Sequence, residues 1–417
     1  MPPSPAASPA GAAAREASVA FVLPLVALAT GHMLSNAVRT LPAVAADLLQ
    51  ADLAVDAEGL AGLTGAYHFA FAAAQIPVGV ALDRFGVRRV SLALLAVVCA
   101  GAALAALAGG AAGFLVAQVV MGLGCAGMLI APMTLAARLL DPVRFGLWSG
   151  LIQALGNVGM LLSASPLALL VEHAGWRAGF WASVAFGLAA TAAVAATVPR
   201  DAPPPAAAAD RTLAGDAREV LRLLASPALR PVVALAFASF AVVIGVRGLW
   251  GGPWLMEVKG LGRVEAGNVL LLATVALALG PALGGVLDRR FAGRRRALLA
   301  GGHLLAAGCL LGVALGAALP VAWDAAMLFA FGLFISVQPL LFALTRAAVP
   351  PESVGKALSA VNLSFFLGAA ALQAASGPVA AGFGVGAAIG FLAAAVAVCA
   401  LAFLALTRPG ASPRGGA

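Results

Sequence analysis

The chain is short of charge. Asp, Glu, Lys and Arg make up 10% of its 417 residues, against about a quarter in a soluble protein. That excludes an ordinary water-soluble fold. Cysteine is scarce too: Cys99, Cys125, Cys309 and Cys399 all fall inside apolar runs, with no metal-ligand spacing, so neither a disulfide framework nor a metal centre is expected. A glycine-rich nucleotide loop and a nucleophile–base pair outside those runs are also missing, so the chain reads as a non-enzyme without a cofactor. The alternating ten-residue segments of a transmembrane barrel are absent.

What the chain has is apolar length. Hydrophobic residues make up 62% of it and the mean hydropathy is +1.02. The apolar residues fall into stretches long enough to cross ~30 Å of hydrocarbon. Such stretches must satisfy their own backbone polar groups and are therefore helices. Twelve spans are expected, at 19–49, 60–82, 90–109, 112–138, 146–171, 177–198, 231–255, 264–287, 297–317, 321–346, 355–379 and 383–406. Residues 1–18 read as a disordered tail and 407–417 as a second tail. A Pro/Ala-rich linker at 199–230, with a short amphipathic helix, separates six spans (19–198) from six (231–406). The division between the last two spans is expected around Gly377, Pro378 and Gly382–Gly386.

The net charge of +8 is not a nucleic-acid signal, because of where it sits. Of the 25 Lys and Arg residues, 20 lie in the tails or in loops leading from even to odd spans. The positive-inside bias then places both termini in the cytoplasm, with some attraction to anionic lipid.

A phrase is written twice. Gly79-Val-Ala-Leu-Asp83-Arg84 recurs as Gly284-Gly-Val-Leu-Asp288-Arg289, 205 residues later. Asn157 and Asn362 share that offset. Arg138, Pro142 and Gly146 are echoed by Arg346, Pro351 and Gly355. A repeat spanning half a membrane chain marks a two-bundle transporter.

At Gly79, Asp83, Arg84, Gly86, Arg88 and Arg89 the chain resembles the major facilitator superfamily, and Asp288 and Arg289 match the weaker second copy of its signature. The resemblance covers about residues 19–406. It implies an all-α membrane protein, with twelve transmembrane helices in two pseudo-symmetric six-helix bundles that rock about a central site. Gly79 and Gly86 then permit close approach. Asp83 accepts bonds from a helix N-terminus or an arginine across the interface, with Arg84, Arg88, Asp288 and Arg289 in the same gates. The other reading of the arginines is topology alone. Two departures stand out. Gln118 occupies the place where the family often carries an arginine linked to proton coupling. Gly156, Gly159 and Pro166 do not form the compact Gly-Pro unit of many drug antiporters.

Polar residues inside spans are costly, so they are candidates for function. Arg39 lies 44 residues before Asp83, and Arg247 lies 41 before Asp288. Counterpart spans would thus carry one arginine each to a common cavity, where an anion would relieve their repulsion. The arrangement resembles the paired arginines of organophosphate and organic-anion exchangers. The competing reading is that both snorkel to the outer interface. His32, Ser35, Asn36 and Arg39 share one helical stripe, and His32 offers a substrate contact, a proton carrier or a structural bond. Thr64, His68, Phe71 and Gln75 form a second stripe beside Tyr67; His68 or Tyr67 would line the cavity. Trp250 would wall the pocket near Arg247, and Trp254 reads as part of an interfacial aromatic belt. Gln153, Asn157, Gln338 and Asn362 serve either as ligand contacts or as interhelical bonds.

The expected function is secondary active transport in a bacterial inner membrane. The expected substrate is a small organic anion, a carboxylate or phosphate ester, moved by exchange or symport with a counter-anion or proton, by a monomer. Proton-driven efflux of drugs or hydrophobic metabolites is the alternative; a non-transporting sensor is the alternative of another class.

Overall fold

A computed structural model describes residues 21–55, 57–162, 165–200, 213–291 and 293–407. The expected tails and the proline-rich part of the linker lie outside them. Among the described residues the protein is helical and contains no strand.

Ten helices are long and apolar enough to cross a membrane. Two further passages complete the twelve. The first span is the helix Val22–Val44, which contains Pro42; its polar stripe dilutes its hydropathy. The seventh begins as the short apolar helix Arg230–Gly245. It then runs through two π-helical turns, Val246–Trp250 and Trp254–Val258, on either side of Gly251–Pro253. The two passages carrying Arg39 and Arg247 are thus the least regular or least apolar in the molecule. π-Turns inside helices frequently mark functional positions.

The remaining spans are Ala57–Phe85 (second), Val87–Ala106 (third), Ala111–Cys125 with Ile130–Leu139 (fourth), and Pro142–Leu162 (fifth). After these come the sixth, within Ser165–Thr197; Arg263–Arg290 (eighth); Arg295–Leu315 (ninth); Val321–Ile335 with Leu340–Ala347 (tenth); Val354–Phe383 (eleventh); and Val385–Leu406 (twelfth). Four spans depart from the expected edges or continuity. The first span stops at Val44 and a separate helix, Ala46–Leu53, follows. The fourth and tenth spans are each broken, at residues 126–129 and 336–339. The eleventh runs through Gly377 and Pro378 and ends at Gly384. Gly384 has φ +87°, and Gly175, between the fifth and sixth spans, has φ +78°. Both glycines hold a backbone conformation that a Cβ would penalise.

The halves meet along two seams, the second span against the eleventh and the fifth against the eighth. Glycine makes both possible. A Cβ at Gly79 would collide with the Ser359 side chain, and one at Gly150 with the Pro281 carbonyl. Small residues let helix backbones approach where apolar burial gives no net attraction in lipid.

The helix Leu213–Leu224 lies over the first seam at the arginine-rich end. Its Val220 is fully buried in a cluster with Val80 and Ala360, and its Glu219 pairs with Lys356 at 2.6 Å.

At the opposite end each half is tied by an aspartate, a tryptophan and a cation. In the first half Asp52 accepts from Trp176 Nε1 at 2.9 Å and Arg177 at 2.7 Å. Hydrogen bonds from Trp176 and then Arg177 hold the Asp52 carboxyl below its ordinary range. In the second half Asp324 accepts from Trp254 Nε1 at 2.7 Å and pairs with Lys259 at 2.8 Å. Trp254 is thus buried and does not belong to an exposed belt.

Candidate functional site

Between the halves lies a cavity of ≈ 320 Å³. The first, second, fourth and fifth spans line it from one half, and the seventh, eighth, tenth and eleventh from the other. The third, sixth, ninth and twelfth contribute nothing to its wall. Arg39 and Arg247 both face it, as do His32, Asn36, His68, Gln153, Asn157, Gln338 and Asn362. Among the described residues no Asp or Glu lines it. Phe71, Phe240, Phe342, Phe365 and Phe366 make much of the wall apolar.

Two expected residues do not line it. Tyr67 sits behind the wall, fully buried, with its hydroxyl 3.5 Å from Ser35 Oγ. Trp250 turns to Ser376, donating to its Oγ at 2.9 Å; the π-turn places it off the Arg247 face.

The two arginines have different settings. The Arg39 guanidinium lies 5.3 Å from the ring centre of Phe71, 5.8 Å from Tyr67 and 5.9 Å from Phe366. Quadrupole attraction from three rings holds the cation, and its Nε is buried without a hydrogen-bond partner. Arg247 directs one NH group at Met160 Sδ, 2.9 Å away, which is a weak acceptor. Among the described residues neither arginine forms an ion pair with a carboxylate.

Amides join the halves beside the cavity. Asn362 Nδ2 donates to Gln75 Oε1 at 2.7 Å, and Asn157 Nδ2 donates to the Leu277 carbonyl at 2.6 Å. The asparagines that stand 205 residues apart thus each bridge one seam. Asn36 donates to the Gly156 carbonyl at 2.9 Å, binding the first span to the fifth.

At the arginine-rich end, contacts run from one half to the other. Asp83 accepts from the Lys356 N–H at 2.9 Å, the Gly355 N–H at 3.2 Å and Arg138 at 3.2 Å. Asp288, its repeat counterpart, is bound differently, by Arg295 at 2.7 and 2.8 Å. The reason lies in where the facing helices begin. The eleventh starts at Val354, so the Gly355 and Lys356 N–H groups stand in its first turn, facing Asp83. The fifth starts at Pro142, four residues before Gly146, and Asp141 already accepts from the Val143 and Arg144 N–H groups at 2.9 Å. That capping, from Arg144 first, keeps the Asp141 carboxyl below its ordinary range. Arg295 also reaches the Pro142 carbonyl, and Arg346 the Leu140 carbonyl, both across the halves.

The other signature residues are spread around this end. Gly79 packs on the eleventh span, and Gly86, at φ +87°, makes the turn into the third. Arg88 bonds the Ala195 carbonyl at 2.7 Å, tying the third span to the sixth inside one half. Arg84 is half-buried at the end of the second span and Arg289 is exposed.

A family model described as Major Facilitator Superfamily matches residues 28–373. The chain belongs to the Major Facilitator Superfamily. It is a multi-pass membrane protein of a transporter family rather than an enzyme. The solved Major Facilitator Superfamily transporter FucP, in its outward conformation, aligns with a TM-score of 0.74 over 94% of this chain and all of that one, at 16% identity. The tetracenomycin C resistance and export protein of Streptomyces glaucescens is 33% identical over 175 residues, 40% of this chain and 31% of that one. The methylenomycin A resistance protein of Bacillus subtilis (strain 168) is 25% identical over 237 residues, 56% and 47% respectively. The matches thus span less than half the length of either relative.

Several residues at or near the site carry no signal in the sequence that gives their role. Gln75 was visible in the second-span stripe, but its role depends on Asn362 of the other half. The phenylalanines of the seventh, tenth and eleventh spans carry no local signal that separates a cavity wall from a lipid face. Lys259 and Asp324 are 65 residues apart with nothing in spacing to join them. His303, buried with Ser239 Oγ at 2.7 Å from its Nε2, packs inside the second half and away from the cavity.

Proposed function

We propose that the protein is a secondary active transporter for a small organic anion with an apolar body, working by alternating access. The observation that carries this is one cavity with Arg39 and Arg247 on opposite halves and, among the described residues, no carboxylate on its wall. An anionic head held between two guanidiniums would neutralise both, and each can bind a carboxylate or phosphate in bidentate fashion. The five phenylalanines suit the rest of such a molecule. Because the arginines sit on different halves, an occupied site links them, and binding biases their relative position.

In this reading the arginine-rich end faces the cytoplasm of a bacterial inner membrane, and the contacts of Asp83, Arg295 and Arg346 close it. The cavity then opens outward. The signature residues Gly79, Asp83, Arg84, Gly86, Arg88, Asp288 and Arg289 would form gates around that end, and the protein would act as a monomer.

Proteoliposome counterflow tests the proposal. A panel of labelled aromatic and aliphatic carboxylates and phosphate esters is compared with neutral and cationic compounds. Flux confined to anions, and lost in Arg39→Ala and Arg247→Ala, is the expected result. Flux of cations or neutral compounds unaffected by either substitution refutes it.

A second reading, efflux of drugs or hydrophobic metabolites, is favoured by the names of the two resistance proteins. It predicts dye efflux that collapses with the proton gradient and is indifferent to Arg39→Ala.

A further inference from the structure

A hydrogen-bond chain runs from His32 to the fifth–eighth seam, and its direction is fixed from one end. The Leu277 carbonyl can only accept, so Asn157 must present its Nδ2 there, at 2.6 Å. The Asn157 oxygen therefore points the other way, and Gln153 Nε2 donates to it at 3.1 Å. The same Gln153 nitrogen lies 3.4 Å from His32 Nε2. An amide nitrogen only donates, so His32 Nε2 must accept. The imidazole is thereby required to be neutral, with its proton on Nδ1. His32 Nδ1 is buried and has no partner in the described structure.

Adding a proton to His32 Nε2 removes the acceptor on which this order rests. Two donors would then face each other. Turning the Gln153 amide satisfies His32 but sets the Gln153 oxygen against the Asn157 oxygen. Turning Asn157 as well sets its oxygen against the Leu277 carbonyl. Every arrangement loses one bond of the chain, and a full reversal loses the bond that crosses the halves. The ring has little freedom to evade this, because it is packed on Gly156, where a Cβ would overlap it.

The charged and titratable groups around His32 add to the effect. Arg39 lies on its own span, His68 on the second, Cys125 on the fourth, and Arg247 across the cavity on the seventh; Tyr67 of the second span stands behind the wall against Ser35, and among the described residues no Asp or Glu lines the cavity. An imidazolium there would join two guanidiniums, a state that a bound anion stabilises.

From this geometry we propose that His32 is the proton-coupling residue, acting through Gln153 and Asn157 on the contact between the fifth and eighth spans. Proton and anion would enter together, the proton coming from water in the cavity. This rests on the anion-transport reading for its partner ion, whereas the link from His32 to the seam stands on the hydrogen-bond chain.

Two measurements on the full chain in lipid nanodiscs test it. The first is magnetic resonance of isotope-labelled histidine at about pH 8, with His32 assigned from a His32→Asn sample. The wild-type ring should carry its proton on Nδ1, and Gln153→Leu should release that preference. An Nε2-protonated ring in the wild type, or no response to Gln153→Leu, overturns the proposal. The second uses spin labels at the exposed positions Leu162 and Leu272, which flank the Asn157–Leu277 bond. With salicylate present, the distance distribution should shift between about pH 8 and about pH 5.5 in the wild type and in His68→Asn, and stay fixed in His32→Asn. The same shift in His32→Asn, or none in the wild type, overturns it. His32→Gln is the substitute where the asparagine variant does not fold. Salicylate binding at about pH 8, measured in Arg39→Ala and Arg247→Ala, probes the anion reading separately.

Discussion

The Asp83 carboxylate and the Lys356 backbone N–H meet at 2.9 Å across 273 residues of chain. One group ends the second span and the other begins the eleventh, so the bond spans the two halves at the arginine-rich end. Two N–H groups of a helix start, the local helix dipole and Arg138 all favour the charged carboxylate. Opening this end must break the set.

Asp83→Ala should therefore loosen closure without preventing membrane insertion. The readout is alkylation of an Ala343→Cys reporter, buried in the closed end and lining the same cleft as Arg138 and Pro142 of the other half, on a background lacking the four native cysteines, by a maleimide that does not cross membranes. The rate should rise about tenfold, the equivalent of one charge-assisted hydrogen bond of about 1.5 kcal/mol. An unchanged rate would remove Asp83 from the gate.

Arg39→Lys should bind anions more weakly than the wild type although the charge is kept. Its guanidinium lies close to three aromatic rings, a setting that suits a planar cation better than an ammonium. A loss of about 0.5–2 kcal/mol, or roughly 2- to 30-fold in affinity for a bound carboxylate, is expected by titration calorimetry. Arg247→Lys should lose less, since Arg247 lies beside Met160 rather than a cage of rings.

Asp324→Ala should destabilise the second half strongly. Lys259 and Asp324 are 3% and 0% exposed, and removing one partner of a buried pair costs about 3–5 kcal/mol. Thermal unfolding in detergent should show a large drop in midpoint. Asp52→Ala, in the half-exposed counterpart at 48%, should show a much smaller one.

The Asp52 tie should also be acid-sensitive. Its carboxyl is held below the ordinary value by Trp176 and Arg177, so folding favours the ionised form. That contribution is complete above the unfolded pKa of about 4 and is lost as pH falls through the lower folded value. Thermal midpoints measured downward from about pH 5 should fall more steeply in the wild type than in Asp52→Asn.

Gly150→Ala should separate the fifth and eighth spans. The added methyl meets the Pro281 carbonyl, which is backbone and cannot rotate aside. Overpacking of this kind costs about 1–3 kcal/mol, and here it falls on the closed state of the arginine-rich end. The Ala343→Cys reporter should react faster, as in Asp83→Ala.

The sequence by itself determined the class of molecule. Low charge and long apolar runs leave a chain no soluble option, and the lipid interior then demands helices. The doubled Asp83 and Asp288 phrase carried the two-half organisation, because a repeated bundle must repeat the residues at its turns. Arg39 and Arg247 stood out for the same reason: charge inside a span is costly enough to be visible without coordinates. What the sequence could not carry was which side chains of different spans meet. Asp83 and Asp288 look alike in the chain, yet one takes helix N–H groups and the other an arginine, because their facing helices start at different points. Tyr67 and Trp250 sit close in sequence to cavity residues but turn away from it, the first into packing and the second through a π-turn. Asn157 reads as a lone amide until the Leu277 carbonyl of the other half gives it a direction. Only the tertiary structure supplied that fixed acceptor, and with it the order of bonds back to His32.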